Sequence, residues 1–347
     1  MDLSVRKLLL GVGGAVAAAL AAREAVRYSR RFDWDGKVVV VTGGSRGLGF
    51  SLASELVRRG AKVAICGRGE AALRAADNRL TEVGGDVLAS QCDVGDPQQV
   101  DRFIRGVLNH FGRIDVLINN AGVIQVGPQE AMTADDYYSA MSINCWGALH
   151  SMQAALPAMK RQGWGRVVNV ASIGGIRAVP HMLPYSASKF ALIGLSTGMR
   201  TELAKNNVLV TTVCPGLMRT GSPPNASFKG RNDQEYTWFA VSDSLPLLSI
   251  SAENAAAQIL RACQNGDAFV GVAGLFNPSG LIAHHLPNLT IEVYSLVERL
   301  LPKMGGIGQR SAKGHESETA VTRKLFPVLG PRQLPADEGN GGVHRVP

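Results

Sequence analysis

A doubly wound α/β fold, a parallel sheet flanked on both faces by helices, is predicted by three observations. Short apolar, β-branched runs recur along the chain. Each is followed by a stretch of helical period, and the first run empties directly into a cluster of glycines. Residues 38–41 are all valine, too uniform for a strand with one wet face, so 38–42 reads as a strand buried on both sides. Gly43, Gly44, Gly47 and Gly49 then form a turn, and 48–59 reads as a helix. The alternation continues with strands at 62–66, 87–91, 116–119, 166–170 and 208–214. Helices fall between them at 70–83, 97–111, about 140–161 and 185–203. Right-handed crossovers follow from that order. No internal repeat of solenoid length is present.

The chemistry starts with Tyr185 and Lys189, in Pro184-Tyr185-Ser186-Ala187-Ser188-Lys189. Four residues of helix put the phenol and the ammonium on one face. A fixed positive charge beside a phenol favours phenolate and lowers its pKa, which makes a proton donor and acceptor near neutral pH. The same pair on a surface helix would be an ordinary solvated couple, so its meaning depends on what surrounds it.

Three neighbours give it context. The turn at Gly43, Ser45, Arg46, Gly47, Leu48 and Gly49 lets the backbone approach a ligand closely, and the helix that follows offers free N–H groups to a pyrophosphate. No Gly-Lys-Ser/Thr follows, so it is not a P-loop. The strand 116–119 ends in Asn120-Ala121-Gly122, small residues under which a cofactor can lie. The strand 166–170 runs on to Ser172, whose hydroxyl falls at the carboxyl edge where open α/β sheets bind ligands.

Taken together these residues resemble the short-chain dehydrogenase/reductase family. The resemblance rests on Thr42 to Gly49, Asn119-Asn120-Ala121-Gly122, Asn144, Ser172, Tyr185 with Lys189, and Pro215-Gly216 followed by Thr220. It covers about residues 36–272, in order and spacing; the two ends lie outside it. It implies a Rossmann-type fold and an oxidoreductase interconverting alcohol and ketone or aldehyde. Tyr185 would be the general acid/base and Ser172 a hydrogen-bond partner of the same substrate oxygen. Lys189 would lower the phenol pKa and hold the nicotinamide ribose, and Asn144 would steady a water linking that lysine to solvent. Asp93 is similar to the family residue that contacts the adenine amino group, with Val94 packing near the ring. The long helices around Ala148 and Leu195 resemble those through which family members form homodimers or homotetramers.

Cofactor choice is read at the end of the second strand. An acidic residue there accepts a ribose hydroxyl and repels a 2′-phosphate. This chain has Gly67-Arg68 instead, and Arg68 with Arg46 can flank a 2′-phosphate, so NADP(H) is preferred, with NAD(H) the alternative. The hydride chemistry belongs to that cofactor and needs no metal. The histidines show no ligand-like spacing and read as surface or loop residues.

Net charge is +8 over 347 residues, yet basic and acidic residues nearly balance between 32 and 302. The excess sits at the ends, which excludes a basic nucleic-acid-binding face on the catalytic body. The five cysteines, Cys66, Cys92, Cys145, Cys214 and Cys263, form no Cys-x-x-Cys and read as reduced core residues of a cytoplasmic protein.

The termini are read as appendages to a catalytic domain at 32–275. Residues 8–22 are uncharged and apolar, with Arg6 and Lys7 before and Arg23, Arg27, Arg30 and Arg31 after. As a helix this stretch reaches about 22 Å, short of a ~30 Å hydrocarbon core. An anchor or interfacial helix, a helix packed on the domain and a cleavable leader are the alternatives. The basic residues after the stretch would keep the catalytic body on the cytoplasmic side. Residues 276–302 read as a helical extension, because Ile291, Val293, Leu296, Val297, Leu300 and Leu301 fall largely on one face after Pro287. From Lys303 to Pro347 no apolar period is visible, and a disordered tail is expected.

The segment 217–248, with Phe228, Tyr236, Trp238 and Phe239, should set substrate identity, an apolar or bulky carbonyl or alcohol. Its aromatics read equally as the segment's own packing. A second functional class remains, a catalytically silent NADP-sensing interaction protein of the same fold. Retention of Asn144, Ser172, Tyr185 and Lys189 together favours the enzyme.

Overall fold

The computed structural model describes residues 3–244, 249–272 and 286–323, with backbone alone for 3–13 and 244. Helix α1 (Leu3–Ser29) leads into β1 (Val38–Thr42), which is buried along its whole length as its valines require. Then come α2 (Gly47–Arg58), β2 (Lys62–Gly67), α3 (Glu70–Glu82), β3 (Val87–Gln91), α4 (Pro97–Phe111) and β4 (Val116–Asn119). The short β5 (Gln125–Val126) and α5 (Ala134–Met141) precede a π-helical turn, Ser142–Trp146, and α6 (Gly147–Gln162). The second half holds β6 (Gly165–Val170), α7 (Leu183–Leu203), β7 (Val208–Pro215), β8 (Leu217–Arg219), α8 (Ser222–Asn225) and β9 (Ser227–Phe228). After these lie α9 (Asn232–Ser244), β10 (Ser249–Ser251), α10 (Ala252–Asn265), β11 (Phe269–Val272), α11 (Pro287–Glu298) and β12 (Ala312–Lys313).

Seven of these strands form one parallel sheet in the order β11-β7-β6-β4-β1-β2-β3. Between β1 and β4 the order reverses, and the crossovers on the two sides leave a crevice at the strands' carboxyl ends. Apolar clusters cover both faces. One joins β1, β2 and β4 to α2, α3 and α10, through residues such as Leu52, Leu56 and Ile259. The other joins them to α4 and α6, through Val100, Ile104 and Met152. Helix α4 is fully punctuated: Asp96 accepts from the amides of Gln98 and Gln99, Pro97 opens the first turn, and Gly112 closes it at φ 76°.

Two expectations are corrected by this architecture. The chain beyond Lys303 is not without structure: 303–323 lies as a strap, with β12 pairing antiparallel to β9 and the Ile307 amide donating to the Gly230 carbonyl at 2.9 Å. Glycine-rich sequence hid it, since a strap held by backbone bonds needs no apolar period. Residues 324–347 lie outside the described residues, as do 273–285, where the catalytic body was expected to pass into its C-terminal extension. The histidines are not all peripheral either. His181 is buried between two glutamates with its backbone at φ 60°.

Among the described residues no helix is long and apolar enough to cross a membrane. The stretch 8–22 falls partly among side chains outside the described ones, those of residues 1–13. What is described of it, residues 14–22, stands exposed, with Val16 and Leu20 over half accessible. Its basic flank is engaged with the body: Arg27 grips Asp267 through two bonds of 2.8 and 3.0 Å, and Arg31 reaches Asn265 at 2.9 Å.

Candidate active site

The crevice floor is built from backbone. Gly43 sits at φ 66°, where a Cβ would come within 2.9 Å of the Ala121 Cα, and a Cβ at Gly49 would collide with the Gly43 carbonyl. Only glycine permits that closeness, so the turn and the Asn120-Ala121-Gly122 strand end pack edge to edge. The Thr42 hydroxyl ties them together, accepting from the amides of Asn120 and Ala121 at 3.0 and 3.1 Å. Asn120 returns the tie, its amide nitrogen donating to the carbonyls of Thr42 and Gly43. Helix α2 opens here without a side-chain cap from Arg46, so its first N–H groups remain available to an anion, with Leu48 buried behind them.

Around the rim, Ser45 lies against Gly67, and the Thr220 carbonyl lies against Gly47. Gly216 is fixed by its amide bond to the Val272 carbonyl at 2.8 Å, just after Pro215 ends β7. Arg68 is exposed, 4.0 Å from the Asp93 carboxylate. Asp93 also accepts from the Gly95 amide at 2.9 Å. Val94 is buried, its methyls packed against Gly147. Close backbone, an uncapped helix start and cations at one end make this a candidate cradle for a dinucleotide.

The candidate reacting groups lie beside it, the Lys189 Nζ 3.7 Å from where a Cβ on Gly122 would stand. Ser172 follows β6, and its hydroxyl accepts from the Gly174 amide at 3.0 Å, with the Tyr185 ring against the same glycine. Lys189 is buried, and its Nζ donates to the Val170 carbonyl at 2.9 Å while lying 5.7 Å from the centre of the Tyr185 ring. Asn144 sits in the π-helical turn, a feature that concentrates at functional sites because it breaks the regular ladder. Its side chain accepts from the Val123 amide at 2.8 Å and donates to the Val123 carbonyl and the Ser188 hydroxyl, at 3.0 and 2.9 Å. Asn144 thereby pins the chain after Gly122 to the helix that carries Tyr185 and Lys189.

Electrostatics depart from the expectation drawn from sequence. Burial pushes the Tyr185 phenol up to about 12, against the Ser172 hydrogen bond that lowers it, and the buried Asp243 carboxyl adds to the rise. Burial pulls the Lys189 ammonium down to about 8. With its Nζ turned to Val170, the lysine does not lower the phenol; desolvation outweighs charge pairing here. Asp243, on α9, is itself raised to about 7 by burial, although the Met218 amide donates to it at 3.2 Å.

The aromatic residues of the segment 217–248 split. Phe228, Tyr236 and Phe239 are buried and pack edge to face with one another, while Tyr185 and Trp238 border the cluster. Residues 245–248 lie outside the described ones. Sequence reasoning missed Asp243, His181 and Ser188, buried polar residues whose partners lie far off in the chain or bear no motif. Only an inward position at helical spacing, Tyr236, Phe239 and then Asp243, signals the first of them.

The comparisons with known proteins agree with this geometry. The family model for short chain dehydrogenase matches residues 37–227. The levodione reductase of Leifsonia aquatica is 34% identical over 193 residues, 55% of this chain and 72% of that one. A short chain dehydrogenase/reductase from Burkholderia phymatum, solved in complex with NAD, superposes with a TM-score of 0.68 at 26% identity, covering 76% of this chain and 96% of that one. A point variant of the actinorhodin polyketide ketoreductase, solved with NADPH, gives 0.63 at 27% identity, covering 71% and 98%. The chain therefore belongs to the short-chain dehydrogenase/reductase family and is an NAD(P)-dependent oxidoreductase.

Proposed function

We propose that the protein is an NADP(H)-dependent oxidoreductase interconverting a secondary or primary alcohol and its ketone or aldehyde, with Tyr185 as general acid/base. The observation that carries this reading is the convergence of Ser172 and Tyr185 at the carboxyl edge of β6, where the Ser172 hydroxyl and the Tyr185 ring both lie against Gly174. Two hydroxyls carried to one place can hold one substrate oxygen between them. When bound, the nicotinamide cofactor supplies or accepts the hydride. Tyr185 keeps its proton at neutral pH, because its pKa lies near 12, so the resting enzyme is armed to donate to a carbonyl oxygen. Ser172 hydrogen-bonds that oxygen as negative charge develops on it. Lys189, mostly protonated at pH 7, holds the ribose hydroxyls. Asn144 keeps the Gly122–Val123 backbone in register with α7, fixing the distance between cradle and acid.

Arg46 and Arg68 favour NADP(H), since no carboxylate ends β2 to repel a 2′-phosphate; NAD(H) is the alternative. Asp93 would receive the adenine. The lid cluster around Phe228 and Phe239, against which Tyr185 packs, fits an apolar carbonyl substrate. Exposed Trp146 and Phe190, at the start of α6 and on α7, favour assembly of like chains through those helices. The exposed apolar side chains of α1 favour contact with a lipid surface, the catalytic body remaining in the cytoplasm.

The test is turnover of NADPH against a panel of ketones. Tyr185→Phe should lower kcat by about 10²–10⁴-fold while the Kd for NADPH stays within about twofold. Turnover at the parent rate by that variant would remove Tyr185 from the acid role.

A further inference from the structure

A cleft of about 450 Å³ opens between α1 and the amino end of β11, at the end of the sheet away from the cofactor cradle. Its size is that of a small-ligand site. Four arginines line it, Arg23 and Arg27 from α1, Arg30 just after it and Arg200 from α7, against one carboxylate, Asp267. That carboxylate is already taken. Arg27 holds it at 2.8 and 3.0 Å and turns its third nitrogen to Glu24 at 2.7 Å. Arg30 and Arg200 meet only carbonyls, and they converge on one of them: Nη1 of Arg30 lies 3.4 Å, and Nη2 of Arg200 2.7 Å, from the Gly266 oxygen. Two guanidinium groups thus share one neutral acceptor, with no carboxylate bonded to either among the described residues. Burial and then the charge of Arg30 lower the Arg200 guanidinium from its ordinary range, Asp267 restoring a part. A phosphate, with several acceptor oxygens and a full negative charge, answers two such forks better than one carbonyl does.

The surroundings say which phosphate. Val26 and Phe269, both nearly half exposed, border the arginines, and apolar side chains beside cations suit an amphiphile rather than a free ion. Along α1 the exposed apolar residues 14–22 run directly into Arg23, and Arg30 stands only about 12 Å further along the axis. A helix whose apolar part meets lipid carries these cations at the depth of the headgroup phosphates. We propose that the cleft between α1 and β11 binds the phosphate of an anionic lipid headgroup, so that α1 selects negatively charged bilayers. This rests on the lipid reading of α1 above and adds to it the residues that choose the lipid. The apolar stretch supplies attachment, and the cleft supplies the preference for charge.

The experiment measures binding of the full chain to vesicles of phosphatidylcholine, with and without phosphatidylglycerol, for the parent, Arg23→Gln, Arg30→Gln and Lys205→Gln. Lys205 is an exposed cation just beyond α7 and outside the cleft, so its variant removes the same charge from elsewhere. The parent should bind the anionic vesicles about tenfold more tightly than the neutral ones. Arg23→Gln and Arg30→Gln should each lose about three- to fivefold on anionic vesicles and stay within about twofold on neutral ones, and Lys205→Gln should stay within about twofold on both. Equal losses in Lys205→Gln and Arg30→Gln would show diffuse attraction and overturn the cleft, as would a parent that binds both vesicles alike. Variants that bind vesicles like the parent, yet lose a rise in Tm given by millimolar glycerol 3-phosphate, would assign the cleft to a soluble phosphate and overturn the lipid source. A parent that binds neither vesicle would overturn the lipid reading of α1 itself, and the proposal with it, before any variant is made.

Discussion

Lys189 is almost wholly withdrawn from water, and its Nζ finds the Val170 carbonyl at 2.9 Å in place of a carboxylate. A carbonyl offsets only part of what desolvation takes from an ammonium, so its pKa falls to about 8. The sign follows directly. Lysine is charged below its pKa, so the ammonium required to hold the ribose is present at pH 7 and is lost as pH rises through about 8. The kcat/KM for NADPH, which reports the free enzyme, should therefore fall on a limb near that pH, and Lys189→Arg should move the limb beyond the measurable range. A flat profile to pH 9.5 would show that the charge of Lys189 is not used in capturing cofactor. At this scale the sequence announced which side chains would meet and not how their protons would be tuned. Helical spacing picked out Tyr185 and Lys189, a strand end Ser172 and family resemblance Asn144, but the sense of the phenol's shift depends on which carbonyl the lysine meets, and no spacing encodes that.

Elements were legible where burial is uniform. The valines of β1 and the capped helix α4 read true from the sequence because a single force, apolar burial or end punctuation, dominates each. The helix expected at about 140–161 resolves into α5, a π-helical turn and α6, because Asn144 bonds both Val123 and Ser188 and the ladder yields around it. Elements held by polar contacts were the least visible. Helix α11 carries exposed Leu289, Val293, Leu296 and Val297, yet it is fixed to the body by Glu298 on His181 at 3.1 Å and by Tyr294 under the Arg177 guanidinium. On its other side His181 meets the buried Glu235 at 2.7 Å. Burial alone would lower the imidazole pKa, but the hydrogen bonds and charges of Glu235 and Glu298 overcome it, and the net shift is upward. A histidine whose folded pKa is raised contributes stability that is complete below the unfolded value of ~6.5 and is lost as pH climbs through the folded one. His181→Asn tolerates the left-handed backbone at φ 60° and removes the latch. It should lower Tm by several degrees at pH 6, for a loss of roughly 1.5–3 kcal/mol, and by clearly less at pH 9. Equal losses at both pH values would mean that packing, not protonation, holds α11.

Across the whole molecule, charge and apolar surface are divided along α1 itself. Its described N-terminal part, 14–22, is exposed and uncharged, whereas Arg27, Arg30 and Arg31 turn onto the end of α10 and the loop before β11. Arg166 reaches back to the Arg30 carbonyl at 3.2 Å, and Phe32 packs edge-on against Trp34 and Trp164. The net +8 of the chain therefore does not measure a free basic surface, because part of the N-terminal excess is spent on joining helix to body. Two truncations separate the roles. Removing residues 1–22 takes away only exposed side chains among those described, so Tm should stay within about 1 °C, while flotation with anionic liposomes, driven by the apolar stretch, should be lost. Removing residues 1–31 also strands Asp267, whose side chain is only 11% exposed, without its guanidinium partner. That should cost about 2–3 kcal/mol and lower Tm by roughly 5 °C or more, with NADPH affinity unchanged because the cradle lies at the opposite end of the strands. If the shorter truncation destabilises as much as the longer one, the apolar half of α1 packs on the body rather than on lipid; if it still floats with liposomes, some other surface makes the membrane contact.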